Sequence, residues 1–310
     1  MAIENSDFTK KELTILAFDH RGTFEKELLG IKGRPVTPDE SKKITNFKKI
    51  IFKGYLSSLE KGVNKETSGI LCDDEFGYSV LNEARIKQLN FAVPVEKSGQ
   101  EVFDFQHDSR FAKAIEEINP TFSKVLVRFN PEGNEEDNSL QLARLKLLSD
   151  YLTKANRGFL FELIVVPTAS QLNSLNNSSL LFDTVLRPKL VVESMSIMQQ
   201  VGIEPDIWKL EGVDTIQDAK MLVSQAQEGG RKAGVIILGR GESEEKVDHW
   251  IKISAQVNGI IGFAVGRTIF WESLVEYNSL RINEIQAANE ISMNYVDMVK
   301  LWDKSKTQSD

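Results

Sequence analysis

Short apolar runs recur along the chain, and longer stretches between them return an apolar residue every three or four positions. The runs have the length and the Val, Ile, Leu and Phe content of strands, and the stretches have the period of amphipathic helices. Strands are predicted at LTILAFD (13–19), SGILCD (68–73), NFAVPVE (90–96), FSKVLVRF (122–129), GFLFELIV (158–165), PDIWKLE (205–211), GVIILGR (234–240) and GIIGFAVGR (259–267). Helices are predicted over 38–63, 137–156, 183–201, 214–229 and 242–257, with a long helical stretch near 280–302. TPDESKK near 37 and ESEEKVDHW near 242 supply cap residues followed by acids, the pattern of a helix start.

Eight strands alternating with helices, without a linker, predict a (β/α)₈ TIM barrel with an extra C-terminal helix, one domain over 1–310. A doubly wound dinucleotide fold would want G-x-G-x-x-G after its first strand, and DHRGTFEKELLG lacks it. The C-terminal helices could close the barrel or pack on a second copy, so a homo-oligomer stays open. Two termini carry their own expectations. MAIENSDFTKKEL is polar and lacks a signal-peptide core, and DKSKTQSD is expected to fray.

Composition narrows the function. The chain is 41% hydrophobic and 27% charged, with a net charge of -7 spread over both signs, which argues against nucleic acid as a partner. No apolar run approaches the ~20 residues of a membrane span. The single cysteine, Cys72, excludes an internal disulfide and suits a reducing cytoplasm.

Parallel barrel strands should be continuously apolar, yet several here carry charge near their C-terminal ends. Asp19 ends the first, Glu96 and Lys97 follow the third, Lys124 and Arg128 lie in the fourth, Glu162 in the fifth, and Lys209 and Glu211 in the sixth. A lone ionisable strand residue is ordinarily a solvated end group. An ordered set at matching ends would ring the mouth of a barrel, where active sites sit. By alternation, an inward Lys124 brings Leu126 and Arg128 with it, and an inward Lys209 brings Ile207 and Glu211. The acids of DDEFG after the second strand read as caps for the next helix.

Two lysines, a glutamate and an aspartate suit imine chemistry. A lysine with an ordinary pKa of ~10.4 becomes a nucleophile when burial or a second cation favours its neutral form. Lys209 is the candidate nucleophile and Lys124 the second cation. Glu162 or Asp19 would shuttle the proton that carbinolamine dehydration requires. The glycines and arginines of LGRGES and GFAVGRTIF (Gly239, Arg240, Gly266, Arg267) offer a phosphate cradle where barrels commonly have one, with Arg21 and Arg128 as further anion contacts. The same glycines would also serve tight turns. No metal or other cofactor is called for: His20, His107 and His249 match no zinc spacing, and His20 reads as a residue that packs or orients Asp19.

LAFDHRGTF, KVLVRF, FLFELIV and DIWKLEG resemble segments of the class I, Schiff-base barrel aldolases related to tagatose-1,6-bisphosphate aldolase. LCDDEFG, AVPVEKSG, PDIWKLE and GFAVGRTIF most resemble the aldolase-like domain that is fused to a sugar kinase in inositol catabolism, known as 2-deoxy-5-keto-gluconate 6-phosphate aldolase. The resemblance spans roughly 13–275, and the barrel is expected to fill the 310 residues without room for the kinase half. It implies Schiff-base formation at Lys209, acid/base work by Glu162, and supporting roles for Lys124 and Asp19. It implies a cytoplasmic carbon–carbon lyase that yields dihydroxyacetone phosphate and malonate semialdehyde from a phosphorylated keto-sugar acid. Tagatose-1,6-bisphosphate and a sulfofructose phosphate are the alternative substrates. A barrel that binds phosphosugars without turnover is the non-enzymatic alternative.

Overall fold

A computed structural model describes residues 11–306. Eight parallel strands close in sequence order into a barrel: β1 (Leu13–Ala17), β2 (Ser68–Leu71), β3 (Asn90–Pro94), β4 (Phe122–Arg128), β5 (Gly158–Ile164), β6 (Ile207–Glu211), β7 (Gly234–Leu238) and β8 (Ile260–Val265), with β1 paired to β8. Every predicted strand is present, and most end a residue or two earlier than the apolar run because the chain turns into the mouth loops. No helix among the described residues is long and apolar enough to cross a membrane.

The outer layer contains α1 (Pro38–Glu60), α2 (Asp74–Ile86), α3 (Phe111–Ile118), α4 (Glu135–Ala155), the short α5 (Ala169–Ser174) and α6 (Ser179–Leu181), α7 (Arg187–Gln200), α8 (Ile216–Ala226), α9 (Glu244–Ser254), α10 (Arg267–Asn278) and α11 (Glu284–Lys306). The helix starts follow the sequence chemistry. Thr37 and Glu40 form a capping box on α1, Asp73 caps α2 through the Phe76 amide, and Ser243 caps α9. The stretch 183–201 is a helix only from Arg187, preceded by a wide π turn over Phe182–Leu186.

Alternation along the strands separates two apolar layers. Ile15, Ala17, Leu71, Ala92, Phe122, Leu160, Ile207, Ile236 and Ala264 fill the barrel interior. Their strand neighbours, such as Phe161, Trp208 and Leu210, pack under the helices. Each large apolar side chain buried in these layers contributes about 1.5–3 kcal/mol. The C-terminal helix packs within its own chain. Gly54 lets α1 approach α11 closely, since a Cβ there would lie 2.7 Å from Ile291 Cγ2, and the Tyr295 hydroxyl donates to the Thr14 carbonyl at 2.9 Å. Residues 303–306, expected to fray, continue α11, while 1–10 and 307–310 lie outside the described residues, and with them most of the polar N-terminal stretch.

Candidate active site

The inward positions of the strands change from apolar to charged at the C-terminal mouth. On β6, Ile207 belongs to the interior layer and Trp208 and Leu210 to the outer one, so Lys209 points inward. The same parity from Ala17, Ala92, Phe122 and Leu160 turns Asp19, Glu96, Lys124 and Glu162 toward the same space. Register pairs Glu162 of β5 directly with Lys209 of β6.

These five side chains form one buried cluster. Lys209 Nζ lies 2.8 Å from Glu162 Oε1. The other oxygen, Glu162 Oε2, is 2.9 Å from Lys124 Nζ, an ion-pair distance without hydrogen-bond alignment. Lys124 Nζ also donates to Asp19 Oδ2 at 2.9 Å and Glu96 Oε1 at 2.7 Å. Burial opposes charge on Asp19 and Glu162, but Lys124 and Lys209 outweigh it and hold both carboxyls below the ordinary range. Burial likewise works against the Lys124 ammonium, and Asp19, Glu162 and Glu96 overcome it and push its pKa well up. Glu96 goes the other way: burial prevails over Lys124 and raises its carboxyl.

Asp19, Lys124, Glu162 and Lys209 line a cavity of about 390 Å³, and Arg21 and Arg128 line it with them. Glu96, Lys97, His20 and Lys26 contribute further wall. Arg21 is buried and braces the cluster from behind, donating to the Glu96 carbonyl at 2.8 Å and to Gln106 Oε1 at 3.1 Å. Arg128 donates to the Gln100 carbonyl at the rim. The imidazole of His20 packs edge-on against Phe270, and burial pulls its pKa down to about 4, against the pull of Asp19, so it is neutral at pH 7.

The four residues from the β7 and β8 loops do not line this cavity. Arg240 is held by Glu211 Oε1 at 3.0 Å and Asp183 Oδ1 at 2.8 Å, in the left-handed backbone region at φ 53°. Arg267 pairs with Glu27 Oε2 at 2.8 Å and covers the Trp271 ring at 4.6 Å. A Cβ at Gly239 would lie 3.2 Å from Val247 Cγ2, and Gly266 lets the backbone pass so near Ala17 that a Cβ would lie 2.0 Å from its carbonyl oxygen.

Two parts of the arrangement were not assigned from the sequence. Glu96 stood among the strand-end acids without a role, although alternation from Ala92 already points it inward. Lys48, on the apolar stripe of α1, is fully buried: it pairs with Asp73 Oδ2 at 2.5 Å and donates to the Phe18 and His20 carbonyls at 2.7 and 3.0 Å. It thereby clamps the backbone on both sides of Asp19. Its signal was a lysine at an interior position of a helical repeat. The DDEFG acids divide: Asp73 caps α2 and meets Lys48, while Asp74 pairs with His107 at 2.6 Å.

A protein-family model matches residues 3–306. The chain belongs to DUF2090, described as an uncharacterized protein conserved in bacteria. No curated protein sequence matches it. Among solved structures, this DUF2090 chain is similar to the fructose-bisphosphate aldolase of Plasmodium falciparum, at 14% identity and TM-score 0.67 over 97% of this chain and 93% of that one. It is also similar to a Corynebacterium glutamicum protein, at 12% identity and TM-score 0.57 over 94% and 91%. At such identities the likeness is one of fold, a barrel of the kind that the aldolase has. Among the described residues of this DUF2090 member, no group of three His, Cys, Asp or Glu side chains is arranged to hold a metal ion.

Proposed function

We propose that the protein is a class I aldolase that forms a Schiff base at Lys209 with a phosphorylated ketose or keto-sugar acid. The observation that carries this reading is Glu162 bridging two lysines, 2.8 Å from Lys209 Nζ and 2.9 Å from Lys124 Nζ, in the wall of the mouth cavity. The neutral amine of Lys209 attacks the ketone, and Glu162 moves the proton that turns the carbinolamine into iminium and water. The iminium withdraws electrons as the adjacent C–C bond breaks. Lys124 stays a cation and holds Asp19 and Glu162 ionised around it. The fold shared with an aldolase, and the resemblance of the strand-end segments to Schiff-base aldolases, both support the reading.

The proposed substrate is 2-deoxy-5-keto-gluconate 6-phosphate, cleaved to dihydroxyacetone phosphate and malonate semialdehyde. Tagatose-1,6-bisphosphate and a sulfofructose phosphate are the alternatives. Borohydride reduction in the presence of each candidate, followed by mass mapping, tests the reading. A stable adduct on Lys209 supports it, and no adduct with any phosphorylated ketose leaves a phosphosugar-binding barrel instead. Because the chemistry runs on side chains alone, turnover is expected to survive EDTA. Loss in EDTA with recovery on added zinc would show a different class of aldolase.

The phosphate end is proposed at the β7 and β8 loops, where Arg267 would exchange Glu27 for the ligand. Arg267→Ala is then expected to raise KM more than it lowers kcat, since phosphate contacts are alike in ground and transition states. An unchanged KM would move the phosphate into the cavity itself, which Lys26, Lys97 and Arg128 line.

A further inference from the structure

The five clustered side chains do not balance in charge. Lys124 and Lys209 face Asp19, Glu96 and Glu162, all within 2.9 Å of a lysine nitrogen. With every group ionised the cluster is one negative charge in excess, and with the neutral Lys209 that imine formation needs the excess is two. Like charges crowded in a buried site cannot all persist, and the least compensated one takes up a proton.

Geometry singles out Glu96. Asp19 and Glu162 each lie within reach of Lys124 and feel Lys209 as well, and Glu162 touches both. Glu96 has Lys124 alone on Oε1, and its Oε2 is buried with no partner among the described residues. A bare oxygen in that position costs more on a carboxylate than on a neutral acid. The remaining charges near Glu96 do not neutralise its carboxylate. Arg21, bonded to the Glu96 carbonyl and Gln106 and 4.0 Å from Glu75, keeps its charge and favours the carboxylate, but less than Lys124 does and not enough to offset burial. The Lys97 ammonium is taken by Asp104 and Asp108. His20 is uncharged at pH 7, with its pKa near 4. The raised carboxyl of Glu96 agrees with this picture.

Resting on the aldolase reading, we propose that Glu96 is the proton store of the site, holding the proton that Lys209 must give up and returning it through Lys124 and Glu162 when the carbinolamine loses water. The path is a continuous row of contacts of 2.7, 2.9 and 2.8 Å from Glu96 through Lys124 and Glu162 to Lys209. Lys124 gives two N–H bonds to Asp19 and Glu96, and a small swing of its ammonium would align the third with Glu162 Oε2, 2.9 Å away. The step balances. The C–N bond forms as amine meets ketone, and one amine proton moves to the carbinolamine oxygen. One further proton, drawn from Glu96, releases that oxygen as water. The iminium gains a positive charge as Glu96 gains a negative one, so the cluster keeps its net charge without drawing a proton from solvent. Hydrolysis of the product imine runs the same path backward.

Glu96→Gln keeps shape and neutrality and removes the titrating group, so it is expected to fold. Infrared difference spectroscopy of the purified full chain reads the store without any substrate. A carboxylic-acid C=O band present at neutral pH in the unmodified protein and missing in Glu96→Gln is the expected result. Absence of such a band, or a band that Glu96→Gln leaves in place, overturns the proposal. In turnover, Glu96→Gln is expected to slow imine formation on the order of 10²-fold at pH 7 and to move the optimum to higher pH, because Lys209 must then lose its proton to solvent. A variant that is merely less stable, with the pH profile unmoved, counts against the store. Borohydride trapping separates the two ideas. Failure to trap in the unmodified protein ends the aldolase reading, whereas trapping without the infrared band ends only the role of Glu96.

Discussion

Lys209→Ala is expected to abolish turnover and borohydride trapping together while the barrel stays folded. The loss is expected to be on the order of 10⁴-fold or more, the scale of removing a catalytic nucleophile. No neighbour can stand in. Lys124 is held protonated by Asp19, Glu162 and Glu96, and a protonated amine does not attack a carbonyl. Lys209→Arg is expected to be equally inactive, because a guanidinium stays charged and is not nucleophilic. The fold survives because Glu162 keeps Lys124 as its counter-charge and because Ile207, Trp208 and Leu210 still pack β6 on both faces. Circular dichroism and thermal unfolding check the fold, and mass mapping after borohydride checks the adduct. An adduct that persists in Lys209→Ala would sink the assignment, and one found on Lys124 would exchange the roles of the two lysines while keeping the reaction.

The second large effect is on stability. Lys124→Ala removes the one cation shared by three acidic side chains, Asp19, Glu162 and the proton-holding Glu96. Breaking a buried ion pair from one side costs about 3–5 kcal/mol, and here Glu162 retains Lys209 while the Asp19 carboxylate retains no contact of that kind. The cost depends on pH with a definite sign. Asp19 and Glu162 are held below their ordinary values, so their contribution is present above the unfolded carboxyl range of ~4 and is lost as pH falls through the lowered values. The Lys124 value is raised, so its own contribution is complete below ~10.4 and is lost as pH climbs through the raised value. The deficit of Lys124→Ala is therefore expected to be widest between about pH 5 and 10 and to narrow in acid, where the stranded carboxyls protonate. Urea unfolding at several pH values measures it, and a deficit that is constant or grows toward acid would contradict the ion-pair account. The folded fraction is still expected to trap substrate at Lys209, more slowly, since the nucleophile remains.

Much of the architecture was open to a reader of the bare chain. Strand number and order follow from local periodicity, since a run such as GVIILG can be buried on both faces only as an interior strand. The strict two-residue alternation of a strand tied Lys124 to Phe122, Glu162 to Leu160 and Lys209 to Ile207 on one face, and the structure makes that face the interior. Helix starts at Thr37, Asp73 and Ser243 were likewise local, because a cap bonds an amide three residues away.

Pairing was not legible, because it depends on distances between segments far apart in the chain. Which acids share Lys124 is set by strand tilt and stagger, which bring Asp19, Glu96 and Glu162 from three different strand ends to one height around the barrel. The Lys48–Asp73 clamp behind Asp19 needs α1 docked against the ends of β1 and β2. Arg240 and Arg267, read from the sequence as part of a phosphate cradle, meet Glu211 and Glu27 once the mouth loops fold over, and their charge is already matched. The sequence by itself determined the eight alternating strands and helices of a barrel and which side chains of a strand share a face, because both arise from short-range periodicity. Only the tertiary structure decided which charges meet, because a Coulomb contact needs two particular atoms within about 3–4 Å, and no local pattern places atoms on different strands that closely.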